Sequence, residues 1–239
     1  MLCSAAQAVL GMSLGLLSYA EPVLNKLGAP WQEVATTIAT LVPFNRGTGF
    51  FVNARGDFVS ALHVTNRCPR PALQTPEGII VGTLIATSEP LDIAVARTGR
   101  PRTAYARFPD YPVQWLMEPV AIGRYRACGG FDSWSITTAT ATSMLMFGPN
   151  LMALAAADPI AGGNSGSPVI ARSGAVIGMV FARLKRMSET GIAVDATTMI
   201  RFLDAANVPY QTLPSALFMA PESSGASAAL YTFPVLCLL

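Results

Sequence analysis

Between Gly47 and Val194 the chain is a succession of short apolar runs, nearly all separated by turn-forming residues. Gly47-Thr48-Gly49-Phe50-Phe51-Val52 and Phe58-Val59-Ser60-Ala61-Leu62 flank Asn53-Ala54-Arg55-Gly56-Asp57, the pattern of a β-hairpin. Further runs follow at Ile79–Ala86, Ile93–Ala96, Val120–Gly123, Ser135–Met146, Val169–Ala171, Ala175–Ala182 and Gly191–Val194. Threonine alternates through Thr138-Ala139-Thr140-Ala141-Thr142, and β-branched residues favour strand over helix. Short strands without long helices between them do not build a parallel α/β sheet. They point to antiparallel barrels or a sandwich, an all-β fold. One helix is expected late, from Ala196 to Asn207, where Met199, Phe202, Leu203 and Ala206 recur every three or four residues. It should pack its apolar stripe on the last barrel.

The 239 residues suffice for one large domain or two small lobes with a real core. Charged residues make up 13%, against roughly 25% in an average domain, which suits a large β core or membrane-facing ends. The net charge is only +2, and Arg183, Lys185 and Arg186 read as a solvated turn, so nucleic acid is not an expected partner.

Residues 1–20 carry no charged side chain, and the apolar run ends Ser18-Tyr19-Ala20, the small-x-small look of a signal-peptidase site. An n-region lysine or arginine is absent, and the run is short for a span of ~20 residues. A signal peptide or membrane anchor at 1–20 is expected, with a buried N-terminal helix as the alternative. A linker at 21–39, a folded body over 40–210 and a C-terminal tail at 211–239 complete the division. The tail, Ser- and Ala-rich from Ser223 to Ala229 and apolar from Tyr231, is expected to be poorly ordered in its middle. The chain is thus expected to be exported, periplasmic or extracellular, with or without a membrane tether.

Four cysteines are present: Cys3, Cys68, Cys128 and Cys237. Cys68 and Cys128 lie in the expected body, so they are the pair considered for a disulfide, with two separate buried thiols equally open. With no CxxC and one histidine, no metal site is expected.

That one histidine, His63, stands at the end of a strand; Asp92 opens the apolar run Ile93-Ala94-Val95-Ala96; Ser165 lies in Gly162-Gly163-Asn164-Ser165-Gly166-Ser167-Pro168. A serine on a glycine-rich turn presents its hydroxyl and leaves backbone N–H groups free for an oxyanion. His63 would take the Ser165 proton and return it to the leaving group, while Asp92 would fix the imidazole tautomer. Gly163 and Ser165, with Asn164 between them, would form the oxyanion segment. Each residue alone has a plain structural reading as a turn or strand-end group; their combination carries the hypothesis. Asp57, Asp110, Asp132 and Asp158 compete with Asp92, but only Asp92 precedes an apolar strand that would bury a carboxylate beside an imidazole.

The segments Gly47-Thr48-Gly49-Phe50, Ala61-Leu62-His63-Val64, Leu91-Asp92-Ile93-Ala94-Val95 and Gly163-Asn164-Ser165-Gly166-Ser167-Pro168 resemble the trypsin/chymotrypsin superfamily. Within it the similarity is to bacterial HtrA-type and membrane-anchored periplasmic proteases, over residues 40–207. The resemblance implies two antiparallel six-stranded β-barrels, chymotrypsin-like, with a C-terminal helix and the active site between them. It implies a serine endopeptidase that acts on protein or peptide substrates and needs no cofactor. Ser167 departs from the usual second glycine. Asn164 replaces the aspartate that pairs with a freshly cleaved N-terminus in digestive enzymes, so activation of that kind is not expected. The stretch after Asn207 is too short for a PDZ module, so a peptide-activated cage is not expected either.

By the same resemblance the floor of the primary pocket falls near Pro159 and its wall near Phe181, Ala182 and Arg183. Without a carboxylate at the floor, an apolar or small P1 side chain is expected rather than Lys or Arg. The alternative reading is a catalytically silent protease-like domain that binds peptides or serves as a scaffold. An α/β-hydrolase esterase is rejected, because its G-x-S-x-G elbow and Ser, acid, His order are both absent.

Overall fold

The structure, a computed structural model, describes residues 44–66, 68–110, 118–125, 133–143, 151–184, 187–214 and 221–238. Residues 1–43, including the expected leader and linker, lie outside the described residues, as does Cys128.

The first lobe grows from the expected hairpin. Strands β1 (Phe44–Phe51) and β2 (Asp57–Ala61) pair antiparallel, with Gly49 opposite Ser60 and Phe51 opposite Phe58. The Asn53 side-chain oxygen accepts from the N–H groups of Arg55 and Asp57, and Val52 N–H closes the loop on the Asp57 carbonyl at 2.9 Å. A short helix α1 (Leu62–Thr65) follows β2 directly, and β3 (Arg70–Thr75), β4 (Gly78–Val81), β5 (Thr83–Ser88) and β6 (Ile93–Arg97) complete the run. The single run expected at Ile79–Ala86 is broken at Gly82, whose N–H donates to Pro71 O at 2.7 Å.

The sheet order is β4-β3-β15-β1-β2-β6-β5, and its interior member β15 (Thr232–Leu238) comes from the C-terminal part of the chain. The described residues of 211–239 are therefore not a tail outside the folded body. They add β14 (Thr212–Leu213), the helix α3 (Pro221–Ala228) over the expected disordered segment, and β15, which pairs antiparallel with β1 and β3. Burial drives this: Phe233, Val235 and Leu236 are almost fully enclosed, and the Phe233 ring meets Phe51 at 5.8 Å. Pro234 is tolerated in a central strand because it faces Thr48. The Thr48 N–H and carbonyl are engaged elsewhere, with Ser165 and Ser60, so no ladder bond is forfeited.

β15 also corrects the cysteine pairing. Cys68 is bonded to Cys237, with Cα atoms 5.4 Å apart, so the Cys68–Cys128 pairing is excluded. Cys237 lies opposite Pro71 in the β15–β3 ladder, which brings it to the chain leaving α1.

The second lobe is a closed barrel of β8 (Glu118–Tyr125), β9 (Trp134–Ser143), β10 (Leu151–Ala156), β11 (Pro168–Ala171), β12 (Val176–Leu184) and β13 (Met187–Asp195), ordered β10-β13-β12-β11-β8-β9. Val120, Ile122, Met152, Leu154, Val169, Ile177 and Val180 fill its interior. Alternation sends the intervening Ala121 and Ile170 outward into a second cluster, shared with Phe50, Phe51, Phe58 and Phe233 of the first lobe. The expected helix is α2 (Ala196–Ala205), started by Asp195, whose carboxylate accepts from Thr198 N–H at 2.7 Å. It buries Met199 and Leu203, as its spacing requires. The two-residue β7 (Phe108–Pro109) pairs parallel with β14. The architecture is the chymotrypsin-like all-β double lobe.

Candidate active site

The site forms where α1, the turn before β6 and the loop before β11 converge. The backbone of α1 and the chain at Asp92 are tied by Leu62 N–H donating to Asp92 O at 2.9 Å. Asp92 has φ 52°, a left-handed conformation that aspartate adopts more readily than most side chains. Its carboxylate makes a two-point contact with His63. Oδ1 accepts the His63 backbone N–H at 2.9 Å, and Oδ2 lies 2.6 Å from Nδ1 of the ring. The carboxylate thereby fixes both the position of the residue and the direction of its ring. A proton on Nδ1 leaves Nε2 as the free base. The imidazole is half exposed, open to substrate and solvent.

Asp57 is spent elsewhere. It is fully buried and held by Arg97 Nε at 2.7 Å and Asn53 Nδ2 at 2.9 Å. Burial alone would raise its pKa, but these hydrogen bonds and the Arg97 and Arg55 charges hold it below the usual carboxylate value. Asp158 faces Arg124 at 3.7 Å, Asp110 is exposed, and Asp132 lies outside the described residues.

Ser165 lies on a turn docked against β1. Thr48 N–H donates to Ser165 O at 2.8 Å, and Thr48 Oγ1 donates to Gly163 O at 2.7 Å while receiving Tyr125 N–H at 3.4 Å. One threonine thus joins the first lobe, the second lobe and the serine turn. Thr48 lies within the Gly47-Thr48-Gly49-Phe50 segment, whose local pattern announces no such role. A Cβ at Gly47 would lie 2.6 Å from both Ser165 O and Val64 Cγ2, so the serine turn and α1 approach within the width of a glycine. At Gly166 (φ 86°) a side chain would run into the Thr48 carbonyl, which explains the glycine after the serine. Ser167 is fully buried with an unpartnered hydroxyl, a small group in a place with little room.

Ala161 to Asn164 form a turn closed by Asn164 N–H on Ala161 O at 3.2 Å, with Gly163 at φ 95°. Positive φ at the third position is the type II arrangement and calls for glycine. Among the described residues, neither Gly163 N–H nor Ser165 N–H donates to a protein acceptor. The Asn164 N–H is used in closing the turn, and the residue is almost fully buried while its edge lines the cavity beside Ser165. Ser165 Oγ makes no hydrogen bond to the His63 ring.

A cavity of about 310 Å³ adjoins Ser165, lined by Ile160, Ala161, Gly162, Val180, Ala182 and Arg183 among others. Ala182 and Arg183 lie where the sequence placed them, but Pro159 and Phe181 do not. Pro159 is exposed with its carbonyl turned to Arg124, and it is the buried Ile160 that lines the cavity. At Phe181 the β12–β13 register shifts, between Val180 and Ala182, and the ring packs on the main core. Among the described residues no carboxylate lines the cavity.

A family model described as trypsin-like peptidase domain matches residues 47–179. An uncharacterized protein, y4bJ, of Sinorhizobium fredii is 28% identical over 163 residues, covering 65% of this chain. The chain spans only about a quarter, 25%, of that relative's length. The active form of the Rv3671c protease of M. tuberculosis superposes with a TM-score of 0.58 at 18% identity, covering 70% of this chain and 75% of the other. AlgW, an HtrA-type protease with a decapeptide, gives a TM-score of 0.56 at 18% identity, covering 68% of this chain and 51% of the other. These likenesses establish the double-lobed fold.

Proposed function

This chain belongs to the trypsin-like peptidase domain family, and we propose that it is a serine endopeptidase working through an acyl-enzyme on Ser165. The reading rests on one observation above the others: a His63–Asp92 pair held by two hydrogen bonds, beside a serine turn whose Gly163 and Ser165 N–H groups have no acceptor among the described residues.

His63 Nε2 takes the proton of Ser165 Oγ as the oxygen attacks the substrate carbonyl carbon. The carbonyl oxygen gains charge and receives the Gly163 and Ser165 N–H groups. The C–N bond then breaks, and His63 gives its proton to the departing amine. Water, deprotonated by the same imidazole, hydrolyses the ester and restores Ser165. The absence of a Ser165–His63 hydrogen bond favours a second reading, a silent peptide-binding domain. Such contacts commonly tighten only with substrate in place, so it ranks second.

The cavity favours a small or apolar P1 side chain, and the Arg183 cation on its wall opposes Lys or Arg there. Export fits the Cys68–Cys237 bond, since disulfides persist in oxidising compartments. The protein is then periplasmic or extracellular, and residues 1–20 are its signal or tether. Among the described residues no helix is long and apolar enough to cross a membrane.

The test is to incubate the chain with an unfolded protein and map the new termini by mass spectrometry. Cleavage after small or apolar residues, abolished by Ser165→Ala, is expected. Cleavage concentrated after Lys or Arg contradicts the pocket reading, and no cleavage by the folded native chain contradicts the function.

A further inference from the structure

The segment 158–164 carries the oxyanion turn, and one cation reaches both of its ends. Arg124, near the end of β8, is mostly enclosed, its side chain 15% exposed. Nη1 donates to Pro159 O at 2.8 Å, and Nη2 lies 3.7 Å from Asp158 Oδ2. At the far end, the Asn164 amide satisfies both its atoms in one orientation: nitrogen donating to Ala161 O at 3.1 Å, oxygen accepting Arg124 Nη1 at 3.1 Å. The reverse orientation sets oxygen against carbonyl and nitrogen against guanidinium. Nε donates to Ser135 Oγ at 3.3 Å, which anchors the side chain to the neighbouring strand β9.

We propose that Arg124 is a positioning residue for the oxyanion turn: by holding Pro159 and Asn164 together it keeps the Gly163 N–H turned toward substrate. The inference rests on the protease reading above. In digestive enzymes an aspartate at the Asn164 place awaits a new N-terminal amine. Here the Asn164 amide oxygen accepts instead from the permanent cation of Arg124 on β8, for which a neutral partner suffices. The turn is therefore set without cleavage elsewhere in the chain. The guanidinium is suited to this because its planar fork can serve two acceptors at once.

The test compares the full chain with Arg124→Gln and Arg124→Lys, measuring kcat and KM on a peptide with apolar P1 and thermal midpoints alongside. Arg124→Gln should lower kcat by about 10- to 100-fold with KM within about twofold, since a displaced donor acts on the transition state. Arg124→Lys should recover part of kcat. Asn164→Asp should cost more in the Arg124→Gln background than in the native one, because a buried carboxylate then lacks its cation. Unchanged kcat in Arg124→Gln, a loss that tracks only the thermal midpoint, or no background dependence of Asn164→Asp overturns the proposal. A native chain that neither cleaves nor labels at Ser165 defeats the protease reading itself, and this inference with it.

Discussion

Asp92 combines a strained backbone with the most specific contacts of the site. Its φ of 52° and two bonds to His63 belong together, because the left-handed turn is what aims the carboxylate back at α1. Asparagine tolerates the same φ but offers one acceptor and one donor, so it would force the wrong imidazole tautomer. Asp92→Asn should therefore lower kcat by about 10⁴-fold with KM nearly unchanged. Retained kcat in steady-state peptide hydrolysis would remove Asp92 from the mechanism. Asp92 was legible in the sequence because an apolar strand follows it. Thr48 and Arg124 were not, because their partners are backbone carbonyls 115 and 35 positions away. No local pattern announces such bonds.

At the scale of elements, β15 is the lesson. Its place beyond a Ser- and Ala-rich stretch read as a tail, yet burial of Phe233, Val235 and Leu236 makes it an interior strand. The run Leu151–Ala156 deceives in the other direction: Leu, Met and Ala favour helix, but pairing with β9 and β13 makes it a strand. The expected hairpin and α2 were read correctly because their periodicity and turn chemistry are local.

The Cys68–Cys237 bond spans 169 positions and ties β15 to the chain after α1. Cys237→Ser should cost about 2–5 kcal/mol of stability by denaturant titration. An unchanged midpoint would show that strand packing alone holds β15. A second element test concerns the β1–β2 hairpin. The Asp57 pKa is depressed, so its contribution is full above the ordinary carboxylate value near 3.8 and fades as pH falls through the lower folded value. Asp57→Asn should unfold at lower temperature than the native chain at neutral pH, and the gap should shrink below about pH 4. A gap constant down to pH 2 would contradict the assignment.

Across the whole molecule the two lobes are joined by shared chemistry. Thr48 of the first lobe holds the serine turn of the second, and Tyr125 of the second donates its hydroxyl to Thr232 O of the first at 3.1 Å. The site thus depends on both lobes and on the C-terminal strand. Its sequence signature is spread over four segments, which together indicated the fold, while the cavity beside Ser165 is lined by Ile160 and not by Pro159. The most direct test is labelling with a fluorophosphonate probe, with the adduct located by mass spectrometry. A single adduct on Ser165 is expected, absent in Ser165→Ala and strongly slowed in His63→Ala. Labelling that survives both substitutions, or a folded native chain that takes no label, would contradict the account.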